Sequence, residues 1–267
     1  MKKTIMTSVC ALLLVLLCVG CFGKKDGNTQ QTRSTKDHTV IILVDLQNDF
    51  TMVNNGTLPV GVEYKGADKN LNKDSKHHSD QAYIDYVVSA QKFFKQQGFY
   101  TIATMDWHGK GSKTFKSNHD SVGKNNAITY DNGKPGIAWP DHCVKNTDGA
   151  KIVKELAGLY DKTVKKGKDD SCECYSGFKD DNGAETELDS VLKDQKAEKV
   201  IVAGLAFDYC VAETAKHAKE KGYDVTVVVD LCRAVNEKTE AAKREEMERL
   251  GIRLMNFADL KKEILGT

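Results

Sequence analysis

Short, continuously apolar runs rich in β-branched residues recur along the chain and alternate with stretches of helical period. The runs are residues 39–44 (TVIILV), 99–105 (FYTIATM), 162–165, 199–203 (KVIVA) and 224–229 (DVTVVV), with a weaker one at 252–255. A strand with no polar face cannot turn a side to water, so it belongs to a sheet covered on both faces. Apolar residues at helical spacing mark 80–97, 185–195, 208–221 and 238–250 between the strands. Such alternation builds right-handed crossovers into a doubly wound α/β domain, here a mainly parallel six-stranded sheet with helices on both faces. Ligands of such sheets sit beyond the carboxyl ends of the strands, so residues just after a strand are the first candidates for chemistry.

The chain begins MKKTIMTSVCALLLVLLCVGCFGKK, with Lys2 and Lys3 ahead of an apolar run over 9–19 and then Gly20 and Cys21. That order is the pattern of a secretory signal. The run is shorter than the roughly 20 apolar residues a spanning helix needs. Its close resembles a bacterial lipobox, which implies cleavage after residue 20 and lipidation of Cys21. The expected organisation is therefore a lipoprotein signal peptide over 1–20, a polar flexible tether over 21–38 and one domain over 39–267. It implies an exported, lipid-anchored protein on the periplasmic or outer side of a bacterial membrane.

Lys and Arg number 39 against 38 Asp and Glu, a formal net charge of +1 that gives no reason to expect nucleic acid or a strongly acidic partner and leaves a small molecule as the expected one. Two polar stretches, 51–79 and 109–136, lack periodicity and read as lids or local insertions. Of the eight cysteines, Cys10 and Cys18 would leave with the signal and Cys21 would be acylated, leaving Cys143, Cys172, Cys174, Cys210 and Cys232. Cys172 and Cys174 lack a second pair at zinc-site spacing, so they read as disulfide partners or packing.

Three polar sets follow strands: Asp45, the pair Asp106 and His108, and Cys210. Taken singly, an Asp after a strand is more often a cap than a base, and a buried Cys is more often inert. A Cys in the first turn of a helix is different, because the helix N-terminus favours the thiolate. Asp106, His108 and the more distant His142 form a mixed oxygen and nitrogen set suited to Zn²⁺, Mn²⁺ or Fe²⁺. On spacing alone an ordinary cap with surface histidines outranks that reading.

Six segments then combine: VDLQNDF at 44–50, MDWH at 105–108, WPDHCV at 139–144, KKGKDDSCECYSGF at 165–178, AGLAFDYCV at 203–211 and VDLCRAV at 229–235. In this order and spacing they resemble the nicotinamidase branch of the isochorismatase-like cysteine hydrolases, across nearly all of 39–267. The resemblance implies a catalytic triad of Asp45, Lys166 and Cys210, with Lys166 preferred to Lys165 because the family's lysine stands directly before a glycine, here Gly167. Asp45 would take the thiol proton and hand it to leaving ammonia, while Lys166 stabilises both anions. The backbone N–H groups of Ala206 and Cys210 would form the oxyanion hole, with a cis peptide entering Ala206.

The resemblance also implies one divalent metal, zinc ahead of Mn²⁺ or Fe²⁺, held by Asp106, His108 and His142 and orienting a pyridine ring. Many members carry another His soon after the DWH segment, where this chain has Gly111, Ser112 and Lys113; His119 is the available substitute. Phe50, Trp139 and Tyr175 match the aromatic walls of the substrate pocket. The implied reaction is hydrolysis of nicotinamide to nicotinate and ammonia through a thioester, with pyrazinamide also accepted and a homo-oligomer allowed. Two alternatives stand beside it: the same triad acting on another small amide or ureido compound, and an anchored pyridine-binding lipoprotein without turnover.

Overall fold

The computed structural model describes residues 38–61 and 80–267. The expected signal peptide, Cys21, the tether as far as residue 37 and most of the first polar stretch lie outside the described residues. Six strands form one sheet: β1 (Thr39–Val44), β2 (Tyr100–Asp106), β5 (Lys162–Lys166), β6 (Lys199–Leu205), β7 (Asp224–Arg233) and β8 (Arg253–Met255). Their order is β5-β2-β1-β6-β7-β8 and every neighbouring pair is parallel. All six residues of β1 are buried, as a strand at the middle of a doubly covered sheet requires.

Chain order and strand order together place the helices. From β1 the chain moves outward through α1 (Asp80–Gln96) to β2 and on to β5; it then returns through α2 (Leu188–Asp194) to β6 and continues the other way through α3 (Ala212–Glu220) and α4 (Glu237–Arg249). With right-handed crossovers, connections running in opposite directions lie on opposite faces. The last helix, α5 (Phe257–Leu265), shares the face of α1: Phe257 meets Phe94 at 5.5 Å and Phe93 at 5.7 Å between ring centroids. The crossover direction reverses between β1 and β6, and that reversal opens the crevice where doubly wound sheets bind ligands.

Helix α1 buries Tyr83, Ile84, Val87, Ala90 and Phe94, the spacing of one helical face. The helix expected over 208–221 divides: Phe207–Val211 forms a π-helical turn, and α3 begins only at Ala212. Two elements were not foreseen. An antiparallel hairpin, β3 (Ala127–Thr129) with β4 (Pro135–Ile137), occupies the second polar stretch, its strands too short to show periodicity. Helix α5 buries only Phe257, Leu260 and Ile264, and two turns of sequence at the chain end gave no clear period. Between β1 and β6, Gly204 adopts φ +126°, and a Cβ there would stand 2.1 Å from the Val44 carbonyl oxygen. Only glycine admits that approach.

Candidate active site

Lys166 closes β5, Asp106 closes β2, Asp45 follows β1, and Cys210 sits in the π-helical turn after β6. These strands are consecutive neighbours, so four groups from distant parts of the sequence stand along one sheet edge. The Lys166 ammonium is fully buried, 2.9 Å from Asp45 Oδ2. It also donates to Asp106 Oδ1, to the Cys174 carbonyl at 2.9 Å and toward Cys210 Sγ at 3.4 Å. Burial alone would lower its pKa, but Asp106 and Asp45 outweigh burial and hold it well above the ordinary lysine value.

Asp45 has φ +47°, a region that costs a non-glycine residue about 1–3 kcal/mol. Thr104 holds it there: the Asp45 N–H donates to Thr104 Oγ1 at 3.2 Å, and that hydroxyl donates to Asp45 Oδ1 at 2.6 Å. Burial raises the Asp45 pKa and Asp106 adds to the shift, with Lys166 pulling the other way. Burial also pushes the Cys210 thiol well above its ordinary value, Asp45 and Asp106 adding to the rise against Lys166. The expectation of a thiolate favoured by a helix N-terminus is therefore corrected. Cys210 does stand in the opening turn of that helical segment, a π-helical one running into α3, but burial and the two carboxylates near its sulfur disfavour a further negative charge. The arrangement is a neutral thiol beside a carboxylate able to accept its proton.

Asp106, His108 and His142 bring ligand atoms within 4.8 Å of one another. His108 Nε2 is 3.6 Å from Asp106 Oδ1, and His142 Nε2 is 3.9 Å from Asp106 Oδ2. Both ring nitrogens of His108 are buried without a hydrogen-bond partner, and a bound cation would satisfy one of them. His142 donates through Nδ1 to the Pro140 carbonyl at 2.7 Å, the outer bond that orients a ligating imidazole and leaves Nε2 free. Its pKa is lowered to about 4 by burial and by His108, so it is neutral and able to ligate. These residues fit a divalent metal. His119 does not join them; its Nε2 lies 2.8 Å from the Lys113 carbonyl oxygen. Gly167 shows why glycine follows Lys166: at φ +68°, a Cβ would stand 2.6 Å from His108 Cε1.

Phe50, Trp139 and Tyr175 line one cleft with Cys210, Ala206 and His142, about 410 Å³ of empty space including its mouth. Trp139 Nε1 donates to the Tyr175 hydroxyl at 3.1 Å, and the peptide between Leu205 and Ala206 is cis. All five cysteines among the described residues are free and buried, so Cys172 and Cys174 are packing.

Sequence reasoning missed several supporting residues. Gln47 is fully buried and grips Asp106 by both backbone groups, accepting from its N–H at 2.8 Å and donating to its carbonyl at 2.8 Å. Asp49 accepts the Cys143 N–H at 2.7 Å, fixing the backbone next to His142. Glu173 and Tyr209 also line the cleft. The ring of Tyr209 stands edge-on to Trp139 at 5.1 Å. All four lie inside the segments that carried the resemblance, and that was the only signal available.

The chain belongs to the isochorismatase family, whose Isochorismatase domain matches residues 39–259. The nicotinamidase of Escherichia coli is 34% identical over 227 residues, covering 82% of this chain and 95% of that protein. Among solved structures, the yeast nicotinamidase bound to the inhibitor nicotinaldehyde superposes with a TM-score of 0.69 at 28% identity, over 82% of this chain and 99% of that one. A Pyrococcus horikoshii pyrazinamidase in complex with zinc gives 0.61 at 27% identity, over 82% and 99%.

These matches correct the expected exported, membrane-anchored lipoprotein. The relatives from Escherichia coli, Saccharomyces cerevisiae and Schizosaccharomyces pombe are named as nicotinamidases, none as a lipoprotein. Among the described residues no helix is long and apolar enough to cross a membrane. The non-catalytic lipoprotein alternative falls with that expectation.

Proposed function

We propose that the protein is a nicotinamidase that converts nicotinamide to nicotinate and ammonia. Amide hydrolysis as the class of reaction follows from the family and from relatives named as nicotinamidases in several organisms. The observation that carries the reading is one buried ammonium, on Lys166, shared by the carboxylate of Asp45 and the sulfur of Cys210 at the foot of an aromatic cleft.

In this reading the amide lies between Trp139, Tyr175 and Phe50 with its carbon over Cys210 Sγ. As sulfur attacks, the thiol proton passes to Asp45, so no free thiolate need form in the buried site. The carbonyl oxygen, now an oxyanion, accepts from the N–H groups of Ala206 and Cys210. Collapse breaks the C–N bond, Asp45 returns the proton to the leaving nitrogen, and ammonia departs from a thioester. Water then attacks the thioester, gives its proton to Asp45 and releases the acid, and the sulfur recovers the proton. Lys166 remains a cation throughout and offsets the charge of Asp45 whenever that carboxylate is ionised.

Asp106, His108 and His142 would hold the divalent ion, zinc ahead of Mn²⁺ or Fe²⁺. When bound, such an ion supplies a fixed positive charge that orients a polar group of the substrate. The test is ammonia release from nicotinamide and pyrazinamide, compared between the native chain and Cys210→Ala. Release from both amides that vanishes in the variant is the expected result; undiminished release by Cys210→Ala would overturn the reading.

A further inference from the structure

The π-helical turn that carries the nucleophile divides its side chains between two surroundings. Tyr209 and Cys210 line the cleft. Phe207 and Asp208 instead face the start and body of α4. The Arg244 guanidinium of α4 lies 4.8 Å from the Phe207 ring centroid. Asp208, only 3% exposed, accepts from the Val235 N–H at 2.9 Å, from the Asn236 N–H at 3.1 Å and from the Thr239 hydroxyl. Those donors belong to the β7–α4 junction and the first turn of α4, and Val235 itself lines the cleft. Asn236 spends its own side chain capping Lys238 N, so the Asp208 carboxylate is a second, external cap on the same helix.

We propose that Asp208 is a positioning residue for Cys210, in that its bonds to α4 fix the turn presenting the sulfur and the N–H groups of Ala206 and Cys210. Helix α4 is an independent reference point. It buries only Glu240 and Met247, and it is tied to α3 by Lys243 to Glu213 at 2.7 Å and Lys216 to Glu246 at 3.4 Å. The turn is bonded internally, Val211 N–H to the Ala206 carbonyl at 3.1 Å, and runs straight into α3, but on the side away from the cleft its side-chain anchors to α4 are Asp208 and Phe207. Sub-ångström placement matters here, because a shift of about 1 Å in a reacting group can cost on the order of 100-fold in rate.

The activity arm of the test rests on the nicotinamidase reading; a second arm does not. Asp208→Asn keeps an acceptor for Val235 but turns an amide toward the Asn236 N–H, and Thr239→Val removes one donor and leaves the carboxylate in place. For each variant, kcat and KM on nicotinamide and the rate of Cys210 alkylation by iodoacetamide, located by peptide mass, are measured with thermal unfolding. The expected result for Asp208→Asn is a kcat lower by about 10- to 100-fold, with KM within about twofold of native. Its Cys210 alkylation rate should differ from native by at least about threefold, and Thr239→Val should fall between. Native kcat and native alkylation in folded Asp208→Asn would overturn the proposal, as would losses that match the unfolded fraction. If the native chain releases no ammonia from nicotinamide, the substrate reading fails, and alkylation still decides the role of Asp208.

Discussion

Lys166 donates to Asp106 Oδ1 as well as standing 2.9 Å from Asp45 Oδ2, so a single cation links the acid beside the thiol to an acid of the metal-fitting set. Two carboxylates brought this close without a cation would repel each other in a buried site. The nucleophilic machinery and the metal-fitting set are therefore one electrostatic unit, and a charge change in either is felt by the other.

Removal of that cation should be costly twice over. Lys166→Met leaves two buried carboxylates unpaired, and breaking a buried ion pair by deleting one partner costs about 3–5 kcal/mol. Chemical denaturation should show a loss of that order alongside abolished ammonia release. Native stability in the variant would mean that the acids are protonated or solvated once the lysine is gone.

Acid pH should switch the enzyme off through Asp45. Its carboxyl is raised above 3.8 and must be ionised to take the thiol proton, so kcat/KM should fall as pH drops through the raised value, with the midpoint above 3.8. The same shift has a sign for stability. A raised carboxyl binds its proton more tightly in the folded chain, so its contribution is complete below pH 3.8 and is lost as pH rises through the folded value. Profiles of kcat/KM and of unfolding free energy against pH check both statements; an acid limb at or below 3.8 would exclude Asp45 as the proton acceptor.

Gly167→Ala tests the metal-fitting set without replacing any of its three residues. The added methyl would stand 2.6 Å from His108 Cε1 and must displace that ring. Zinc content after dialysis should fall, with affinity lower by about 10- to 100-fold, the range seen when the support of a ligating histidine is lost. Full metal content in folded Gly167→Ala would argue that His108 does not ligate.

Chelation offers the complementary experiment. Prolonged dialysis against a chelator should depress turnover of nicotinamide, and added Zn²⁺ should restore it in the native chain but not in Asp106→Ala. Turnover that survives complete metal removal would confine the role of Asp106 to its bond with Lys166.

The sheet was legible because strands buried on both faces leave continuous apolar runs, and TVIILV at β1 is the clearest of them. The hairpin β3–β4 was not, since three-residue strands carry no period. At the site, the residues brought together had been named through their motifs, but their bonds were hidden. Thr104 supports Asp45 across 59 residues, and nothing in a threonine within an apolar strand announces it. The same holds for Gln47, whose grip on Asp106 depends on β1 and β2 being neighbours in register. The Cys210 thiol was misjudged because helix position was visible in sequence whereas burial beside two carboxylates was not.

Lys166 and Asp106 close their strands, Asp45 directly follows its own, and Cys210 stands in the turn after the fourth of these neighbours. Parallel neighbours lie about 4.8 Å apart, a spacing set by peptide hydrogen bonds and indifferent to which loops connect them. Substrate preference can thus be rewritten in the connecting loops while the distances among Lys166, Asp106 and Asp45 stay clamped. A designer seeking a new amide specificity in this scaffold has a ruler built from backbone and needs to edit only what hangs above it.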